Sequence, residues 1–260
     1  MLLKDQELNT RYLWAYGFVP AIVLAGLLLL VSAYFASNFY IVSPRVALDE
    51  WTCSGNPGSE KAWQRALADL RAAQRLDPWN ADIYMDIGRL YEWQALSGAA
   101  WNSKVKQART NASYYFKQAA IHRPTWALAW VNYAQSQLLN RVVDDEVFNA
   151  ISNGYKFGRW QLATQQKLLW LSIGVWGKLP ADIQQQVRTQ IAHILKKDDG
   201  IKMLASIALR FQWFDELMPL IRREEDRRYI KSLRSRPDQM REMLRGGKKE
   251  QEFVCRIAGL

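Results

Sequence analysis

The chain has 260 residues, 49% of them hydrophobic, with 12 tryptophans and a formal charge of +10. That length allows one anchor and one good-sized domain with a real core. Its two cysteines and two histidines are too few and too scattered for a zinc site, and scarce glycine and proline, mostly between apolar stretches, argue against a many-stranded sheet.

Between Tyr12 and Pro44 no residue is charged. Residues 14–35 are the most apolar, and crossing the hydrocarbon takes about 20 such residues in a helix. Tyr12, Trp14, Tyr16 and Phe18 flank the run on one side and Tyr34, Phe35, Phe39 and Tyr40 on the other, as interfacial belts do. Pro20 lies inside, which membrane helices tolerate. The sequence YFAS at 34–37 is a poor cleavage site, so the segment is expected to be an uncleaved signal anchor. Lys4 and Arg11 precede it and only Arg45 follows closely, which predicts a cytoplasmic N-terminus with the bulk of the chain outside.

The expected organisation is a cytoplasmic segment (1–11), a transmembrane anchor (12–41), a linker (42–59) rich in Pro44, Gly55, Pro57 and Gly58, and helical hairpins from residue 60. Ala66, Leu70, Ala73 and Pro78 form a small–large–small–proline series, and Ala112, Phe116, Ala119 and Pro124 repeat it with identical spacing. Small residues let helices cross closely, large ones fill the facing holes, and proline ends a helix. After Pro78 come Tyr84, Ile87, Gly88 and Tyr91; after Pro124 come Trp130, Tyr133, Ala134 and Gln137. Residues 66–139 therefore resemble the tetratricopeptide family, whose unit of about 34 residues is a pair of antiparallel helices. The two prolines here are 46 residues apart, and the surplus falls at 93–109, where Trp101, Lys104, Lys106 and Arg109 lie.

Beyond the repeats (60–140), residues 141–235 read as degenerate hairpins that cap the array. Short helices are expected at 147–155 and 164–176. Another follows residues 179–182, with Ile183, Val187, Ile191 and Ile194 in a stripe, and two more fall at 200–211 and 213–233. The tail (236–260) is basic. Its arginines and lysines sit among acids, which reads first as a solvated surface and second as a patch for an anionic glycan or lipid headgroup. Because basic and acidic residues interleave almost everywhere, nucleic acid is not an expected partner. Cys53 and Cys255 bracket the soluble part, and an oxidising compartment would let them form one disulfide.

No phosphate loop, nucleophile elbow or metal-ligand spacing appears, so neither catalysis nor a cofactor is expected. His122 sits at a repeat end, and His193 lies in an amphipathic helix. The tetratricopeptide resemblance implies a concave groove lined by first helices that holds a segment of another protein. Its places here are Asp82, Met85, Arg89, Glu92 and Trp93, then Leu128, Val131, Gln135, Leu138 and Leu139 unless the helices that follow cover them. The whole layout, with "LDPWNADIYMDIGRLYEW", "RPTWALAWVNYAQ", "LLWLSIGVWGKLP" and a late "FVC", resembles the small membrane-anchored repeat proteins of bacterial exopolysaccharide biosynthesis clusters. This implies a single-pass inner-membrane protein with a periplasmic domain that supports a polymer synthesis and export complex without transferring sugars. The alternative is a general envelope scaffold for a secretion, pilus or respiratory assembly. The expected fold class is all-α: one transmembrane helix followed by a helical-hairpin solenoid.

Overall fold

In the computed structural model the described residues are 2–96, 102–197 and 200–235, with side chains from Phe18 onward. They form eleven α-helices and two 3-10 turns, with no strand among them. The expected all-α class with one long apolar N-terminal helix is what the chain adopts.

The first helix, α1 (Leu2–Ser54), is unbroken. Its segment Phe18–Ser54 has an 18-residue window of mean hydropathy 2.4, enough by length and composition to cross a membrane, although a signal sequence has the same properties. Ile22, Leu24, Leu27, Leu29, Leu30 and Phe35 all point away from the protein, with Leu29 73% exposed. Further along, Ile41, Leu48 and Trp51 turn inward and are buried.

The expected linker at 42–59 is therefore mostly helix. Pro44 has no N–H to offer the Tyr40 carbonyl, yet the helix runs through it. Packing outweighs that local cost. Burying a side chain such as Leu48 or Trp51 is worth about 1.5–3 kcal/mol, and both are 5% exposed or less. The true break is Gly55, whose φ of 67° suits a residue without Cβ and whose N–H bonds to the Trp51 carbonyl at 2.9 Å. At Gly58 a Cβ would lie 2.6 Å from the Trp51 ring, so the turn closes only over glycine.

Ser59 caps α2 (Glu60–Leu76), accepting from the Ala62 N–H. This helix runs back along α1, and Ser37 Oγ donates to the Ala73 carbonyl at 3.2 Å near its far end. The domain therefore begins inside α1.

Helix α3 (Ala81–Leu96) follows, then α4 (Ser103–His122), capped by Asn102, and α5 (Ala127–Leu139). The turns α2–α3 and α4–α5 are near copies. The residues that end α2 and α4 have φ/ψ of −136°/74° at Asp77 and −138°/76° at Arg123. Tyr84 Oη donates to the Pro78 carbonyl at 2.9 Å, and Trp130 Nε1 donates to the Pro124 carbonyl at 2.8 Å, each six residues back. The small–large–small residues are buried in both helices, and Phe116 packs where Gly88 leaves room: a Cβ there would lie 2.5 Å from its ring. The surplus residues lengthen α3 and α4, whose added turns close on a satellite cluster of Ala95, Val105 and Ala108. Trp101 lies outside the described residues.

The later helices are α6 (Asp145–Gly158), α7 (Leu162–Gly174), α8 (Ala181–Ile194), α9 (Gly200–Phe211), α10 (Phe214–Leu217) and α11 (Glu224–Ser235). The stripe expected on α8 is buried in full. The single helix expected at 213–233 is instead α10, a 3-10 turn containing Pro219, and α11. Proline lacks the N–H that a continuing helix needs. One core runs from Ile41 to Leu233, so the helices stack as a continuous solenoid. Cys53 is disulfide-bonded. The chain's other cysteine, Cys255, lies outside the described residues, as do the basic tail at 236–260 and the side chains of Lys4, Arg11, Tyr12, Trp14 and Tyr16.

Candidate functional site: the groove along the inner helices

Helices α3, α5 and α7 lie side by side, and their shared face carries two hollows. One, of about 270 Å³, is lined by Thr52, Arg89, Glu92, Trp93, Gln135 and Leu139 among others. The other, of about 620 Å³, has Leu138, Lys167, Trp170, Leu171 and Phe211 in its wall and shares Gln135 and Leu139 with the first. The two form one groove.

The five residues expected in the first unit have different fates. Asp82 is part-exposed and lies 3.8 Å from Arg123 at the outer end of the hairpin. Met85 is buried, with Asn132 Nδ2 3.3 Å from its sulfur, so it belongs to the floor. Arg89 lines the smaller hollow but is held by Asp49 at 3.1 Å and Asp86 at 3.5 Å. Trp93 packs edge-on against Trp51, with ring centroids 6.5 Å apart. Glu92 faces the hollow, and its Oε1 is shielded from water without a hydrogen-bond partner.

The first unit is largely covered because α1 lies over it. Arg45 Nε reaches the Asp86 carboxylate at 2.7 Å, and Asp49 reaches Arg89. In the second unit Val131 is buried. A Cβ on Gly154 would meet its side chain at 3.0 Å, so the tight approach of α6 covers it. Leu128 is half-buried against the core. Gln135, Leu138 and Leu139 remain open to the groove.

A polar line runs beneath the groove. Lys167 Nζ donates to Asn132 Oδ1 at 2.6 Å, and Asn132 in turn contacts Met85. Burial raises the Glu92 pKa, against the opposing pull of the Lys167 and Arg89 charges. Burial likewise lowers the Lys167 pKa, against the Glu92 charge. Each group is thus drawn toward its neutral form by its surroundings. Gln135 Oε1 is also shielded and unpartnered. A buried acceptor without a donor costs about 1–3 kcal/mol, and that cost lies within the groove wall, since both oxygens are closed off from solvent.

Reading by repeat position missed Lys167, Trp170 and Phe211. They come from α7 and α9, outside the motif. Trp170 is 46% exposed and meets Phe211 edge-on at 4.9 Å, making an aromatic wall. A lone lysine in the apolar run "QQKLLWL" was the available signal. Among the described residues no cluster of three His, Cys, Asp or Glu side chains is placed to hold a metal.

No protein-family model matches this chain, and no curated protein matches it.

Proposed function

We propose that this protein is a membrane-anchored, non-catalytic adaptor of the tetratricopeptide type, which holds a segment of a partner protein in the groove along α3, α5 and α7. The observation that carries the reading is the aromatic wall of Trp170 and Phe211, continued by Leu138 and Leu139, along one open groove. A peptide segment supplies what such a wall covers: apolar side chains at its centre and polar groups at its rim. The turn built twice, at Pro78 and at Pro124, supports the repeat reading.

The partner is a component of a bacterial exopolysaccharide synthesis and export complex, a reading that rests on the resemblance of the motifs. The domain faces the periplasm. The excess of Lys and Arg before the apolar helix supports that orientation, and so does a disulfide at Cys53, since disulfides persist in oxidising compartments. An uncleaved anchor fits the burial of α1's last turns in the first hairpin.

The test is a photo-crosslinker at Leu139 or Trp170 in intact cells, with detergent extraction and mass spectrometry of what is captured. Capture of polysaccharide synthases, flippases or export proteins, lost in Gln135→Ala, is the expected result. Capture of an unrelated envelope complex would replace the polymer assignment with a general scaffold. Equal capture by Gln135→Ala and Trp170→Ala would remove the groove from the mechanism.

A further inference from the structure

A second hollow, of about 480 Å³, lies between α6 and α8 and shares no lining residue with the groove. Its lining sets polar and charged side chains among apolar surface. Helix α8 shows one face to the core through Ile183, Val187, Ile191 and Ile194. Its other face carries Asp182, Gln185, Gln186 and Thr189 at three- and four-residue steps, with Gln190 buried at the edge of the core face, all lining the hollow. Opposite stand Ser152, Lys156 and Arg159, and at the turn after α6 stands Trp160, 88% exposed.

Some of these groups are used by the fold, as Thr189 Oγ1 donates to the Gln185 carbonyl at 2.9 Å, and others are not. Gln186 and Ser152 bond to each other at 3.2 Å. The side-chain amides of Gln185 and Gln190 have no hydrogen-bond partner in the protein, and neither have the Asp182 carboxylate nor the Arg159 guanidinium. Lys156 rests only on the Phe157 ring, 5.1 Å from its centroid. At another place on the surface opposite charges do close on one another: Arg223 lies 3.0 Å from Asp226. Here one carboxylate and two cations line the same space and remain apart.

We propose that this cleft binds an acidic oligosaccharide. A sugar hydroxyl both donates and accepts, and so does a carboxamide, which makes a row of glutamines with Thr189 and Ser152 a surface suited to a polyhydroxy ligand. The exposed face of Trp160 offers the apolar platform on which the C–H face of a pyranose ring lies. Lys156 and Arg159 outnumber Asp182, which selects a carboxylated sugar over a neutral one. A nucleic acid would look for a longer track of cations than two. The site is independent of the groove, so it stands or falls without the adaptor reading.

The experiment is calorimetric titration of the full-length protein in detergent with oligogalacturonate, with the neutral oligosaccharide of cellulose, and with single-stranded oligothymidylate. Oligogalacturonate is expected to bind, with the neutral sugar about tenfold weaker and Trp160→Ala weakening binding by about tenfold or more. Trp160 is so exposed that its replacement leaves the helical circular dichroism unchanged, which separates loss of binding from loss of fold. Lys156→Ala with Arg159→Ala should remove the preference for the acidic sugar and leave the residual neutral binding. The proposal is overturned if no sugar binds, if Trp160→Ala binds as well as the parent, or if the oligothymidylate binds more tightly than either sugar.

Discussion

The inner helices of the first two hairpins, α3 and α5, leave nearly identical turns and then meet different surroundings. Helix α3 is roofed by the end of α1, whose Arg45 reaches the buried Asp86 and whose Asp49 helps to lock Arg89. Among the described residues no helix roofs the C-terminal end of α5, and Leu139 stays 46% exposed beside the larger hollow. A repeat motif thus specifies how a turn is built and how two helices cross. It does not specify which face stays open, because the cover comes from a helix outside the repeat.

The comparison can be broken at its shared part first. Phe116→Ala should cost about 3–5 kcal/mol in urea unfolding, since the ring is fully buried. Gly88→Ala should cost about 1–3 kcal/mol by overpacking against the same ring, and Phe116→Leu should relieve part of it. If the two changes add independently, the crossing is not packed as described.

The roof is tested next. Arg45→Ala leaves the buried Asp86 carboxylate with only the longer contact to Arg89. Breaking a fully buried pair costs about 3–5 kcal/mol, and the partial exposure of Arg45 brings the expected loss to about 1–2 kcal/mol. The same change should leave crosslinking at Leu139 intact, because the open part of the groove lies beyond the roof.

Glu92 gives a pH signature. Burial raises its pKa above the ordinary value of 4.5, so its contribution to stability is full below that value and is lost as pH rises through the folded-state pKa. Glu92→Gln should therefore match the parent in acid and exceed it at neutral pH. An unchanged difference from acid to neutral pH would show that Glu92 is not desolvated in the folded protein.

The smallest effects concern single polar contacts. Tyr84→Phe removes the hydroxyl bonded to the Pro78 carbonyl and should cost about 0.5–1.5 kcal/mol. Lys117→Ala, which loses an exposed pair with Glu146 at 2.8 Å, should lower the urea midpoint only slightly at low salt and not measurably in high salt.

The legible parts were those governed by local periodicity. The two proline-ended series and the α8 stripe could be read because each depends on residues a turn or two apart. Pro219 was also legible as a helix breaker, and a continuous helix across it was a misreading of a signal that was present. The continuation of α1 through Pro44 was not legible. Proline and glycine between 44 and 58 argue locally for a loop, and only burial of Leu48 and Trp51 against α2 and α3 overrides them. The groove was half legible. Glu92, Trp93, Gln135, Leu138 and Leu139 follow from repeat position, whereas Lys167, Trp170 and Phe211 arrive from helices with no motif to mark them.

Because α1 passes from its exposed apolar stretch into the first hairpin without a joint, it has no swivel. In an α-helix each residue adds about 1.5 Å of rise and about 100° of rotation. One extra residue between Phe35 and Ile41 would turn the whole solenoid by that angle about the helix axis, and seven would bring it back to within about 20°. The compass bearing of the groove relative to the apolar segment is therefore written in the number of residues in α1, and insertions there should act on complex formation with the period of a helix.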